Sequence, residues 1–146
     1  MHPNPEADLG EHRLRYALVV HDGRTDLEQV QLAAERLNNP VAVLGDVNGR
    51  SSAGPTTPAS FFLAEADSDC VTMETVKQAE DGDGLILRLF EHANRRVATT
   101  IKFGLQVKSV EATNLMEEGA TPLAVEGNAV KLSLRPFEIT TLRIRV

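Results

Sequence analysis

The chain has 146 residues, of which 42% are hydrophobic and 25% charged, a composition typical of a soluble globular protein. Its 21 acidic and 15 basic side chains give a formal charge of −6, which argues against a nucleic-acid partner because phosphate binding relies on clustered Lys and Arg. The single cysteine excludes an internal disulfide, and no apolar run is long enough for a membrane span or a signal segment, so we predict a cytoplasmic protein without a membrane partner.

The first 58 residues are predicted to form a connector, a strand, a helix and a loop. Residues 13–20 alternate, with Leu14, Tyr16, Leu18 and Val20 on one face, which is the pattern of a half-buried strand. The other predicted elements here are an extended connector over 2–10, a helix that begins at the Thr25/Glu28 capping box and ends at Asn38-Asn39-Pro40, a short strand over 41–44, and a Gly- and Pro-rich loop over 45–58.

From residue 59 to residue 146 the patterns indicate only strands. Gly127 and Asn128 form the centre of a predicted tight hairpin, and the last strand should bury one face and expose Arg143 and Arg145 on the other. The predicted strands cover 60–65, 71–77, 85–90, 97–103, 105–111, 123–125, 130–134 and 139–146. We therefore predict a mainly β fold, an antiparallel β-sandwich with one α-helix near the N-terminus, as a single domain over 1–146.

The most concentrated polar motif is Glu80-Asp81-Gly82-Asp83-Gly84. An EF-hand calcium loop counted from Asp81 would have Leu85 and His92 at its fifth and twelfth positions, so the residues exclude that site. Two interpretations stay open. The segment is either a hairpin connection, for which Asp and Gly are well suited, or a loop whose carboxylates face a shared site.

No motif of a self-contained enzyme is present, so we predict no catalytic residue and no metal ligand in this chain. The sequence lacks GxSxG, a Walker loop, GxGxxG and HExxH. The four histidines should face solvent or form hydrogen bonds, and Cys70 should be a small buried hydrophobic residue; these histidines are His2, His12, His21 and His92.

Five segments in chain order resemble the carboxyl-terminal end of the family 38 glycoside hydrolases, the zinc-dependent α-mannosidases, and are nearest to the bacterial members. The first is similar to the family's PEAD-x-GEH-x-F-x-YAL segment, with Leu14 in place of the usual aromatic residue. The segments are residues 6–18 (EADLGEHRLRYAL), 35–40 (ERLNNP), 79–91 (AEDGDGLILRLFE), 113–117 (TNLME) and 134–142 (LRPFEITTL).

The resemblance implies a retaining enzyme whose aspartate nucleophile, and whose zinc held by two Asp and two His, lie in a preceding catalytic domain. This chain would then be a non-catalytic β domain without a cofactor of its own, packed on the catalytic domain of the same polypeptide and meeting mannosides only through the parent enzyme. We expect Glu80, Asp81 and Asp83 to be the part that approaches the sugar. Apolar surface left uncovered in the isolated chain would favour self-association.

Two other functions remain open from the sequence, an autonomous carbohydrate-binding module and a protein-interaction sandwich unrelated to sugars. A sugar-binding module usually stacks pyranose rings on aromatic side chains, and only 4% of this chain is aromatic. We expect the core to need Tyr16 and several of Phe61, Phe62, Phe90, Phe103 and Phe137, which would leave few rings for a ligand.

Overall fold

A computed structural model describes residues 9–23, 27–42 and 61–146 of the chain. The chain divides into two compact units, residues 1–44 and residues 45–146. Several predicted features lie wholly or partly outside the described residues: the connector over 2–10 with His2, the capping residue Thr25, the end of the strand over 41–44, the loop over 45–58, and the first residue of the strand over 60–65.

The first unit contains the predicted helix, α1 (Leu27–Asn38), which ends where the Asn-Asn-Pro sequence predicts. The predicted strand over 13–20 is wrong for this chain, because residues 9–23 contain no strand. A strand needs a neighbouring strand to satisfy its backbone N–H and C=O groups, and the alternation specifies only which face such a strand would bury. Val41 and Ala42 also lie outside any strand.

The second unit is an antiparallel sandwich of two sheets, which confirms the predicted fold class. Its strands are β1 (Ala64–Ala66), β2 (Val71–Gln78), β3 (Leu85–Glu91), β4 (Val97–Phe103), β5 (Ser109–Thr113), β6 (Thr121–Leu123), β7 (Val125–Glu126), β8 (Ala129–Leu134) and β9 (Ile139–Arg145). One sheet has the order β1-β4-β8-β7 and the other β2-β3-β9-β5-β6. Every pair of neighbouring strands is antiparallel.

The core lies between the facing sides of the two sheets, where alternate residues of each strand meet. Leu87 and Leu89 of β3 and Leu142 of β9 come from the five-stranded sheet, and Ile101 and Val130 come from the four-stranded sheet. All five are 0–1% exposed. Cys70 is also buried, as predicted.

The aromatic residues contribute less to the core than predicted. Phe103 is buried, but Tyr16 and Phe61 are 92% and 65% exposed. Phe62 and Phe137 are exposed as well. Aliphatic side chains fill the space between the sheets instead, because β-branched and leucine residues at every second position already pack this narrow layer.

Asn128 explains why β5 begins four residues later than the predicted strand over 105–111. Its side-chain amide donates hydrogen bonds to the carbonyl oxygens of Phe103 (2.7 Å) and Leu105 (2.6 Å), and its Oδ1 accepts one from the N–H of Val107 (2.9 Å). These contacts hold the chain after β4 in a bend, so that residues 105–108 lie in no strand. They join residues more than 20 positions apart, so no local pattern predicts them.

The predicted hairpin at Gly127-Asn128 is confirmed. Glu126 of β7 pairs with Ala129 of β8, so two residues form the turn. Both have positive φ values, 56° for Gly127 and 64° for Asn128, as a type I′ turn requires.

Candidate functional site

The predicted acidic motif lies in the connection between β2 and β3, which we call the acidic turn (residues 79–84). Gln78 and Leu85 are the last paired residues, and the N–H of Ala79 donates to the Gly84 carbonyl oxygen at 3.0 Å. The Asp83 N–H donates to Asp81 Oδ1 at 3.0 Å, which closes the turn locally. The hairpin-connection interpretation is therefore confirmed.

Each carboxylate of the acidic turn pairs with a basic side chain of the same sheet. Asp81 Oδ2 lies 2.6 Å from Arg143 Nη1, and Asp83 Oδ2 lies 2.8 Å from Arg145 Nε, both arginines belonging to β9. Glu80 pairs with Lys77 of β2. The structure thus brings Glu80, Asp81 and Asp83 together on one turn, and two strands supply the opposite charges.

The side chains of the acidic turn differ in how far solvent reaches them. Those of Asp81 and Asp83 are 54% and 62% exposed, and that of Glu80 is 80% exposed. The N–H of Asp83, with the Arg143 guanidinium as the second cause, lowers the pKa of the Asp81 carboxyl, so Asp81 stays ionised at neutral pH. The hydrogen bonds that Arg145 donates to the carboxylates of Asp83, the larger cause, and Glu111 raise the pKa of Arg145.

The predicted exposure of Arg143 is wrong, since this residue is only 8% exposed. The chain between β5 and β6, which we call the cover loop (residues 114–120), folds over the outer side of the five-stranded sheet. Arg143 Nη2 donates to the Glu117 carbonyl oxygen at 3.3 Å, and Arg88 Nη2 donates to that of Leu115 at 2.8 Å. A loop that crosses the sheet has removed the Arg143 side chain from water, which alternation within one strand cannot reveal.

Asn114 gives the cover loop its shape. Its Oδ1 accepts hydrogen bonds from the N–H groups of Met116 and Glu118, each at 2.9 Å, and its own N–H donates to the Glu118 carbonyl oxygen at 3.0 Å. Short polar side chains commonly stabilise turns in this way. The result turns Glu117 back toward the sheet with a φ of 66°.

Glu117 links the cover loop to the acidic turn. Its carboxylate accepts a hydrogen bond from Lys77 Nζ at 2.6 Å and one from the Glu80 N–H at 2.8 Å, and its side chain is only 4% exposed. Lys77 first and the Glu80 N–H second lower the pKa of Glu117, although burial opposes ionisation. Glu117 is not among the site residues predicted from the sequence. The available signal was its place in the TNLME segment.

Glutamine at position 117 should loosen both the cover loop and the acidic turn. One amide NH₂ would face either Lys77 or the Glu80 N–H, so a hydrogen bond to the carboxylate would become a contact between two donors. We expect Glu117→Gln to lower the Tm by several degrees at pH 7, and Glu118→Gln, at the exposed neighbouring position, to change it by about one degree at most.

The pH dependence of this difference provides a second check, by thermal melts of both variants. A carboxyl whose pKa is lowered on folding stabilises the fold above its unfolded pKa, and the contribution is lost as the pH falls through the folded pKa. The deficit of Glu117→Gln should therefore be full above its usual value of 4.5 and shrink below it. A deficit that stays constant down to pH 2 would contradict the ionised state of Glu117.

Within residues 9–23, 27–42 and 61–146, no group of three or more His, Cys, Asp or Glu side chains is placed to bind a metal ion. His92 forms a hydrogen bond with the Thr72 hydroxyl, Oγ1 to Nδ1, at 3.1 Å.

Among the residues that the structure describes, no helix is long and apolar enough to cross a membrane. A pocket of about 130 Å³ lies on the four-stranded sheet beside Thr100 and Lys131.

The fold and these contacts define an antiparallel β-sandwich domain whose outer charged layer is stabilised by its own loops. The sequence model of the glycosyl hydrolases family 38 C-terminal beta sandwich domain matches residues 71–142. Over these residues the chain is therefore similar to the C-terminal β-sandwich domains of glycosyl hydrolase family 38. The match covers the strands from β2 to the middle of β9, including the acidic turn and the cover loop.

Full-length α-mannosidases are similar to almost the whole chain. Alpha-mannosidase 2C1 of Homo sapiens is 34% identical over 145 residues, and that of Mus musculus 30%; each comparison covers 96% of this chain. Alpha-mannosidase G of Dictyostelium discoideum is 24% identical over 146 residues, or 97% of the chain. The chain spans only 13% of the length of each of these relatives.

Proposed function

We propose that this chain is the non-catalytic C-terminal β domain of a longer, zinc-dependent retaining α-mannosidase that hydrolyses terminal α-D-mannosyl residues. The observation that supports this most strongly is the similarity to α-mannosidases over 96–97% of the chain. In this proposal the nucleophile and the zinc ligands belong to the remaining part of the polypeptide. Bacterial origin and a cytoplasmic location stay predictions.

The domain would support the catalytic domain rather than take part in bond cleavage. The charged side chains of its outer layer favour this role, because Asp81, Asp83 and Glu117 each already pair with a basic side chain of the domain itself. An acid or base that takes part in catalysis must reach the substrate, and a carboxylate only 4% exposed, such as that of Glu117, is enclosed by its own domain. Self-association of the isolated chain belongs to the same proposal.

An activity assay tests this proposal. We expect the longer polypeptide to hydrolyse an aryl α-mannoside in the presence of zinc, and this chain alone to give no turnover. Turnover by this chain alone would overturn the non-catalytic role. A longer polypeptide without α-mannosidase activity would overturn the assignment to the enzyme.

The acidic turn is the part of the domain that we propose to lie at the rim of the sugar site. Glu80 is the best placed of its three carboxylates, since its side chain is 80% exposed. In the longer polypeptide, Glu80→Gln should raise the KM for the aryl mannoside several-fold and leave kcat unchanged. Glu126→Gln, which also removes an exposed, ion-paired carboxylate, is the matched control and should leave both constants unchanged. Equal behaviour of the two variants would exclude the acidic turn from the rim.

The exposed rings of Phe61 and Phe137 favour the autonomous sugar-binding module as a second function, because exposed aromatic faces can stack on pyranose rings. Titration calorimetry of this chain with mannose oligosaccharides distinguishes the two functions. Micromolar binding by the isolated chain would support the module, and the supporting-domain proposal predicts none.

A further inference from the structure

The segment over residues 13–20 exposes an unusually regular row of large apolar side chains. Leu14, Tyr16, Leu18 and Val20 are 86%, 92%, 90% and 87% exposed. They occupy every second position, so an extended chain would place all four on one face. Single exposed apolar residues are common on protein surfaces, whereas an alternating row of four is typical of a strand that buries one side.

The described residues of the first unit contain no hydrophobic core of their own. None of residues 9–23 and 27–42 is buried, and α1 has no buried residue along its 12 positions. Its apolar side chains Leu27, Val30 and Leu32 are 41–46% exposed. A helix of this length is marginal in water unless its apolar face packs against something. Both the helix and the alternating segment thus carry apolar faces that require a core from elsewhere.

The described sandwich offers the alternating segment no uninterrupted edge of matching length. The outer strands β1, β6 and β7 have only 3, 3 and 2 residues, and β6 contains Pro122, which lacks an N–H donor. The remaining outer strand, β2, has 8 residues, but its register with β3 shifts between Met73 and Thr75. Such a bulge disrupts the ladder and twists the edge away from a regular partner.

We propose that residues 13–20 form a strand that pairs with a sheet edge in the remaining part of the longer α-mannosidase polypeptide. Leu14, Tyr16, Leu18 and Val20 then enter the hydrophobic core of that part, and the backbone groups complete its ladder. This inference rests on the proposed function. It is supported by the relatives, which match 96–97% of this chain, the alternating segment included, and are far longer than it, since the chain spans 13% of each.

Hydrogen exchange of residues 13–20 tests the inference in two samples, the longer polypeptide and this chain alone. We expect amide exchange in this segment to be slower by at least about a hundredfold in the longer polypeptide, and to be fast in the chain alone. Slow exchange in the dilute isolated chain would show that its own sandwich is the partner and would overturn the inference. Slow exchange that appears only at high concentration of the isolated chain would assign the edge to a second copy and overturn it too.

Variants on the two faces of the segment provide the matched control. In the longer polypeptide, Leu14→Ser with Leu18→Ser should restore fast exchange, whereas Arg13→Ser with Arg15→Ser, on the opposite face, should leave the protection in place. Equal effects of the two pairs would contradict a strand with one buried face.

The outcomes separate this inference from the proposed function. A longer polypeptide that hydrolyses the aryl mannoside while residues 13–20 exchange fast would overturn the inference alone. A longer polypeptide with slow exchange but no α-mannosidase activity would overturn the proposed function instead.

Discussion

Alanine at position 104 should strongly destabilise the sandwich. A Cβ atom there would overlap the Phe62 carbonyl oxygen and lie 3.0 Å from the carbonyl carbon, far inside van der Waals contact with backbone that cannot rotate away. The Gly104 N–H also donates to the Leu63 carbonyl oxygen at 3.0 Å, so relief of the clash would break this bond and pull β1 from β4. We expect a loss of about 3 kcal/mol or more, measured by urea or thermal unfolding of this chain.

Gly119→Ala is the control for this prediction. Nothing lies within 4 Å of a Cβ at position 119, but the residue has a φ of 69°. Alanine there meets only the backbone strain of the left-handed region, about 1–2 kcal/mol. If Gly104→Ala is no less stable than Gly119→Ala, the close approach of residues 62–63 to the end of β4 is wrong.

Glutamine in place of Glu91 should produce the second large loss of stability. Glu91 is 0% exposed, and its carboxylate accepts hydrogen bonds from the N–H of Ala93 at 2.7 Å and from that of Phe137 at 2.9 Å. It therefore connects the turn after β3 to the turn before β9. A glutamine amide would turn an NH₂ group toward one of these donors, at a cost of about 1–3 kcal/mol at pH 7.

This loss should depend on pH in a defined direction. Burial raises the pKa of Glu91, but the N–H groups of Phe137, Ala93, Arg95 and Asn94 more than offset that effect, so the folded pKa lies below the usual 4.5. The stabilisation by the ionised carboxylate is full above pH 4.5 and is lost as the pH falls through the folded pKa. The free energies of unfolding of the unsubstituted chain and of Glu91→Gln should therefore become equal in acid.

Denaturant unfolding of the two chains between pH 2 and pH 8 measures this convergence. Glu126→Gln, which removes an exposed carboxylate paired with Lys131, should change stability by about 0.5 kcal/mol at most. A pH-independent difference for Glu91→Gln, or a difference no larger than that of Glu126→Gln, would contradict the buried ionised state.

The features that the sequence could predict are those set by neighbouring residues. The strand over 97–103 was predictable to the residue, because its inward positions alternate and turn-forming residues flank it. The Gly127-Asn128 hairpin was predictable because few residue pairs suit a two-residue turn.

The features that the sequence could not predict depend on contacts between distant segments. Arg143 is buried because the cover loop, 26 residues away at Glu117, crosses its strand. The alternation over 13–20 specifies a face but not the sheet that covers it. The carboxylates of the acidic turn were recognisable as a cluster, but their partners Arg143 and Arg145 were not, since pairing them requires knowing that β9 lies beside β3 in the sheet.

The buried thiol of Cys70 makes local opening of this domain measurable by chemical labelling. This side chain is 7% exposed and stands just before β2, where its carbonyl oxygen accepts a hydrogen bond from the His92 N–H at 3.0 Å. A maleimide can reach the sulfur only when this corner opens. The sequence contains no second cysteine that could react. The labelling rate therefore reports how often the structure around Cys70 opens locally while the rest of the sandwich stays folded.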